Sequence, residues 1–311
     1  MRSVPAAAVL CTRLSSWEGA ALRVTRAAWW CFREARPVVQ VVFLLRFLVG
    51  AFFTGDSASL SWRLPVGALG WLCATLSVYL LNGVMDVTED RANGSRRPIA
   101  SGKLPLAWAA GATGLLAAAS LALSLATPRS TPWVASFLLL GYVYSAPPWP
   151  AKRRSLPCAV VVTGLGLTAY GAGAQAGGGI DAGVAVFATA MSLWMGLVGA
   201  VVKDFGDAGG DAVGGRRTLA VRRGSRAARR FAVGGAALVG GGSVAAALLW
   251  APEALAGVVP LVVGAAWVGA RCLRPVDGGA DRQAARGPYR AFMVTQYAAN
   301  LTMLGAGLLW A

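Results

Sequence analysis

The chain has 311 residues, 56% hydrophobic and only 14% charged, with a formal net charge of +16 and a mean hydropathy of +0.58. Soluble domains carry about 25% charged residues, so the composition points to a polytopic, all-α membrane protein. Its apolar runs do not alternate, which argues against a transmembrane β-barrel. Histidine is absent, which excludes His general bases and His-ligated zinc or haem. The five cysteines, Cys11, Cys31, Cys73, Cys158 and Cys272, are scattered and odd in number, which disfavours a disulfide framework or a Cys-based metal site. The excess of basic residues reads as orientation in a bilayer, not as binding of nucleic acid.

Residues 1–37 read as a cytoplasmic or interfacial extension. The apolar stretch 4–11 is short and Arg13 stands directly after it, so it is not a signal peptide. Trp17, Trp29, Trp30 and Phe32 alternate with Arg23, Arg26, Arg33 and Arg36. That mixture suits a helix lying on an anionic membrane surface; partial disorder is the alternative. Residues 38–311 read as one transmembrane domain. Its hydrophobic runs predict nine helices, over 38–54, 64–88, 105–126, 131–147, 157–176, 183–204, 231–250, 252–270 and 290–310. Pro132, Pro157 and Pro252 lie near helix starts, where the missing N–H costs little. Gly164, Gly166, Gly171, Gly173 and Ala174 in the fifth helix permit close packing.

With the N-terminus inside, 26 of the 29 Lys and Arg residues fall in cytoplasmic segments. This bias orients the protein as an integral membrane protein of a bacterial cell membrane. Two acidic segments then face the cytoplasm: Asn82-Gly-Val-Met-Asp86-Val-Thr-Glu89-Asp90, and Asp204-Phe-Gly-Asp207-Ala-Gly-Gly-Asp211. They hold six of the 13 acids. Asn82, Asp86 and Asp90 recur every four residues, which on a helix stacks them along one face. Asp207 and Asp211 repeat the spacing, with Asp204 one turn earlier. Such oxygens are ligands for a hard cation, and Mg²⁺ leaves part of its shell to water and phosphate. Arg91, Arg96 and Arg97, Lys152 and Arg153, and Arg216 and Arg217 lie nearby in sequence and complement phosphate charge. Together these groups describe a diphosphate site better than a simple cation site. Arg46 lies inside the first helix, which makes it a candidate for binding an acceptor's carboxylate or oxygen; the rival reading is that it snorkels or pairs with an acidic cluster. Trp71, Tyr79, Tyr142, Tyr170 and Trp194 are candidates for a carbocation-facing wall or for plain packing.

Asn82-x-x-x-Asp86-x-x-x-Asp90, followed by Arg97-Pro98-Ile99-Ala100-Ser101-Gly102, resembles the first signature of the UbiA superfamily of membrane prenyltransferases. Lys203-Asp204-x-x-Asp207-x-x-Gly210-Asp211 resembles the second, and Tyr144-Ser145-Ala146-Pro147-Pro148 with Lys152-Arg153 resembles the segment between helices four and five. The motif variants are those of the chlorophyll-synthase and homogentisate-prenyltransferase side, and the likeness covers roughly residues 38–310. Members often carry Asp after the first Asn; here position 83 is Gly. The resemblance implies nine helices around a central cavity. Mg²⁺ would be held by Asp86, Asp90, Asp207 and Asp211 with help from Asn82, while Asp204, Arg91, Arg97, Tyr144, Lys152 and Arg153 would receive the diphosphate. The implied activity is Mg²⁺-dependent transfer of a prenyl group from an isoprenoid diphosphate to an aromatic or lipophilic acceptor. The alternatives are a UbiA-type terpene cyclase and, from another class, an anion transporter.

Overall fold

The computed structural model describes residues 22–53, 62–206, 208–213, 215–274 and 285–310. Of the expected N-terminal extension, residues 1–21 lie outside the described residues. A short helix α1 (Leu22–Glu34) meets α2 (Pro37–Phe53) at a bend of 73°. Arg36 at the corner has a φ of 58°, a left-handed conformation uncommon outside glycine. There follow α3 (Arg63–Met85), a short α4 (Val87–Ala92), α5 (Leu106–Ser124), α6 (Thr131–Ser145) and α7 (Ser155–Gly177). α8 (Ala182–Gly206) widens to a π turn at Trp194–Gly199 and tightens at Lys203–Gly206. The chain closes with α9 (Ala208–Val213), α10 (Leu219–Trp250), α11 (Leu255–Leu273) and α12 (Gly287–Trp310). No strand occurs among the described residues.

Each of the nine expected helices is present, with two corrections. The seventh starts at Leu219, not 231: Thr218 accepts a hydrogen bond from the Val221 amide at 3.4 Å and caps it. The Arg- and Ala-rich stretch after it favours helix over loop, broken once at Gly224 (φ 81°, ψ 164°). The second correction concerns crossings. Six helices are long and apolar enough to span a bilayer, or seven if the bent α1–α2 pair is one span, fewer than nine. α2 and α6 have 17 and 15 residues, short of the ~20 that cross a hydrocarbon core.

Two apolar clusters hold the bundle. Phe43, Phe47, Trp71, Phe137 and Leu165 join α2, α3, α6 and α7; Phe187, Met191, Trp194, Val258, Leu261 and Phe292 join α8, α11 and α12. The indole of Trp71 donates to the Phe43 carbonyl at 3.0 Å, so its polar atom is satisfied inside the core. α7 contributes to both clusters, and its small residues make that possible. A Cβ at Gly173 would overlap the Phe47 carbonyl, so α2 and α7 pack backbone against backbone. A cavity of about 760 Å³ runs beside this contact, walled by α2, α3, α6, α7, α8 and α12.

Candidate active site

The mouth of the cavity is set by how α3 ends. Asp86 leaves helical geometry (φ −94°, ψ 1°), and α4 resumes at Val87 in a new direction. The backbone bonds Asp86 N–Asn82 O (3.0 Å) and Asp90 N–Asp86 O (2.8 Å) survive, so Asn82, Asp86 and Asp90 still all line the cavity. The expected straight ladder is therefore a bent one, because a single residue at the helix end adopts the bridge conformation.

Cations close on these acids from other parts of the chain. Lys152, 5% exposed, donates to Asp86 Oδ1 at 2.5 Å and to Asn82 Oδ1 at 3.2 Å; Ser145 Oγ donates to the same amide oxygen at 3.1 Å. Burial pulls the Lys152 ammonium below its ordinary value by more than the neighbouring Asp86 raises it. Arg216 donates to Glu89 Oε2 at 2.5 and 3.2 Å and lies 3.7 Å from Asp86 and 3.5 Å from Asp211. Burial opposes its charge, but Glu89, Asp211 and Asp86 outweigh burial and raise it overall. Arg97 pairs with Asp90 at 2.8 Å and with Glu34 of α1 at 2.6 Å. Arg153 reaches Glu89 at 3.1 Å, but its side chain is 53% exposed; it and the exposed Arg91 do not line the cavity. The Arg217 amide donates to the Arg153 carbonyl at 2.8 Å, tying the loop before α7 to the loop before α10.

The second acidic segment is not one helical ladder. Asp204 sits in the tight turn that ends α8, Asp211 is buried in the six-residue α9, and Asp207 lies outside the described residues. Asp204 and Asp211 both line the cavity. Lys203 reaches across to Tyr144, donating to its hydroxyl at 2.9 Å with the ammonium 5.4 Å from the ring.

Deeper in, Arg46 is 1% exposed and donates to Gln296 Oε1 of α12. Its guanidinium lies 5.0 Å from the Phe43 ring, and its Nε and Nη1 make no hydrogen bond. It neither snorkels to water nor pairs with an acidic cluster. Of the five aromatic candidates, Tyr79 lines the cavity. Trp71, Tyr170 and Trp194 are core, and Tyr142 is half exposed, its hydroxyl on the Pro147 carbonyl. Phe43, Phe137, Tyr289 and Phe292 complete the aromatic wall.

Among the described residues no three Asp, Glu or Cys side chains form a ready-made metal cage. The donor chemistry nevertheless suits a hard cation: amide and carboxylate oxygens from both segments. The Arg216 guanidinium is already a cation shared by Asp86 and Asp211. Glu34, Glu89, Lys203 and Gln296 were not singled out from sequence. Glu89 belongs to the acidic cluster but lies off the four-residue spacing; Glu34 and Gln296 carry no local signal.

The profile of the UbiA prenyltransferase family matches residues 43–295. A UbiA homologue from Archaeoglobus fulgidus bound to GPP and Mg²⁺ superposes with a TM-score of 0.69 at 20% identity, over 89% of this chain and 99% of that one. A digeranylgeranylglyceryl phosphate synthase does so at 0.66 and 16% identity, over 91% and 99%. Decaprenyl-phosphate phosphoribosyltransferase of Mycolicibacterium smegmatis is 38% identical over 78 residues; the match spans 24% of either chain, so about a quarter of that relative's length is covered. Six helices able to cross a bilayer agree with an integral membrane protein. The chain belongs to the UbiA prenyltransferase family.

Proposed function

We propose that this protein transfers a prenyl group from an isoprenoid diphosphate to an aromatic or other lipophilic acceptor, with Mg²⁺ at the mouth of the cavity. The observation that carries this reading is the two-part cavity. Its mouth gathers Asn82, Asp86, Asp90, Asp204 and Asp211 with Arg97, Lys152 and Arg216; its interior is walled by Phe43, Tyr79, Phe137, Leu165, Met195 and Phe292. That is the complement of a charged head on an apolar tail. The family's binding of Mg²⁺ and GPP by the Archaeoglobus fulgidus homologue supports it. The excess of basic residues at this end supports a mouth facing the cytoplasm.

Asn82, Asp86, Asp90, Asp207 and Asp211 would hold Mg²⁺, which supplies charge neutralisation for the departing diphosphate. Lys152, Arg97 and Arg216 add fixed positive charge at the same end, and Tyr144, held by Lys203, orients the head group. As the allylic C–O bond breaks, its electron pair leaves with the diphosphate. The carbocation is left among Phe43, Tyr79 and Phe137, whose ring faces attract positive charge. The apolar wall keeps water from quenching it, so an electron-rich acceptor attacks instead and then loses a proton. Arg46 and Gln296 offer donors to an oxygen of that acceptor.

The test is purified protein in lipid nanodiscs with Mg²⁺ and geranyl, farnesyl or geranylgeranyl diphosphate, with and without a panel of phenolic acceptors. The expected result is prenylated acceptor, lost when Asp86→Ala or Asp207→Ala is introduced. A cyclic hydrocarbon as main product without acceptor would overturn transfer in favour of cyclisation, and full function of both variants without Mg²⁺ would overturn both.

A further inference from the structure

Glu34 is a buried acid at the end of α1, outside the two acidic segments. Its side chain is 0% exposed, yet both oxygens are engaged. Oε1 lies 2.6 Å from Arg97 Nη2, and Oε2 accepts from the Ile99 amide at 2.9 Å. Arg97 spends its other terminal nitrogen on Asp90 at 2.8 Å, so one guanidinium is gripped between an acid of the mouth and an acid of α1. A small apolar cluster fixes the same segment: Ile99, Leu104 and Ala109 pack on Trp30, Cys31 and Val84. The Lys103 ammonium lies 5.2 Å from the Trp30 ring. α1 is thus bonded to the loop that carries Arg97 by charge, by hydrogen bond and by packing.

Position 83 explains why the grip can form. A Cβ built on Gly83 would lie 2.5 Å from Glu34 Oε1 and 2.9 Å from Arg97 Nη2. The Glu34 carboxylate therefore occupies the volume that a side chain at 83 would fill, and it fills it with negative charge facing Arg97. A larger residue at 83 and an acid at 34 exclude one another.

We propose that Glu34 is a positioning residue for the substrate's anionic head. It acts from α1 through Arg97 and in place of a side chain at position 83. A buried Arg with one partner removed loses both a charge-assisted bond and its orientation. Without Glu34, Arg97 turns wholly onto Asp90 and no longer presents a fixed donor edge at the mouth. This inference rests on the diphosphate reading of the site.

The test relocates the carboxylate between helices. Binding of geranyl diphosphate with Mg²⁺ is measured for wild type, Glu34→Ala, Gly83→Asp and the double variant, beside ligand-free trypsin cleavage at Arg96 and Lys103. Glu34→Ala is expected to weaken binding about tenfold, the size of one lost charge-assisted bond, and to speed cleavage. Gly83→Asp alone weakens binding by crowding a second acid onto Glu34. The double variant recovers to within about threefold of wild type, a coupling that independent structural damage would not give. Glu34→Gln keeps the size and the acceptor for Ile99, so it reports the charge if Glu34→Ala fails to fold. Wild-type binding and cleavage in Glu34→Ala or Glu34→Gln, or a double variant no better than Glu34→Ala, would overturn the proposal. If wild type binds no isoprenoid diphosphate, the functional reading fails, while the cleavage rates still decide whether Glu34 fixes the loop.

Discussion

At the first acidic segment every carboxylate meets at least one cation: Asp86 meets Lys152 and Arg216, Glu89 meets Arg153 and Arg216, and Asp90 meets Arg97. At the second, Asp211 meets Arg216, which is already held by Glu89. The first half is anchored from α1, from the loop after α4, from the loop before α7 and from the loop before α10. The second is carried by a tight turn and a six-residue helix, too short to be stable by itself. The difference teaches that the mouth is built around the first segment and that Arg216 is the tie by which the second is drawn to it. Such a division suits a site with one fixed wall and one that adjusts to its ligand.

The strongest way to break this comparison is Arg216→Met. It leaves Asp86, Glu89 and Asp211 without their shared cation, and breaking a part-buried network of this kind costs about 3 kcal/mol. We expect kcat/KM to fall about a hundredfold or more. In hydrogen-exchange mass spectrometry the peptide over 208–219 should lose protection while 86–97 keeps it. Equal loosening of both would show that the halves are not unequal.

Lys152 sharpens the comparison through pH. Its pKa is lowered by burial, so the folded protein releases this proton at a pH where the unfolded chain, with an ordinary lysine at 10.5, still holds it. The unfolded state therefore binds more protons across that window, and thermal stability relative to Lys152→Met should rise with pH through it. Activity needs the charged form and should fall as pH rises through the lowered value. Lys152→Arg, which stays charged, should move that alkaline limb upward. An unshifted limb would remove Lys152 from the head-group site.

The smallest effect is expected from Arg153→Ala. Its pair with Glu89 is half exposed, and exposed pairs contribute about 0–1 kcal/mol. A shift of more than about a degree or two in Tm, or more than about threefold in kcat/KM, would show that the first segment depends on its outer cation as well as its buried ones.

Much of this was legible in the sequence. Hydrophobic run length placed all nine helices, because a segment among lipid must satisfy its own backbone. The four-residue spacing of Asn82, Asp86 and Asp90 survived a bend in the backbone, because two helical hydrogen bonds persist across Asp86. The Arg-rich start of α10 was read as loop, since charge masks helix propensity when apolar runs are the guide. The second ladder was read as continuous, because spacing alone does not reveal that α8 tightens at Lys203.

Sequence alone determined which chemistry is present: acids and bases in two short segments of a chain that otherwise avoids acid, and an Arg placed inside a span. Tertiary structure alone decided who meets whom. Glu34 reaches Arg97 across 63 positions, Arg216 reaches Glu89 across 127, and Arg46 reaches Gln296 across 250. Local spacing encodes the face of one helix. A pairing between distant segments depends on how helices cross and how closely small residues such as Gly83 and Gly173 let them approach, and no single window of sequence contains that.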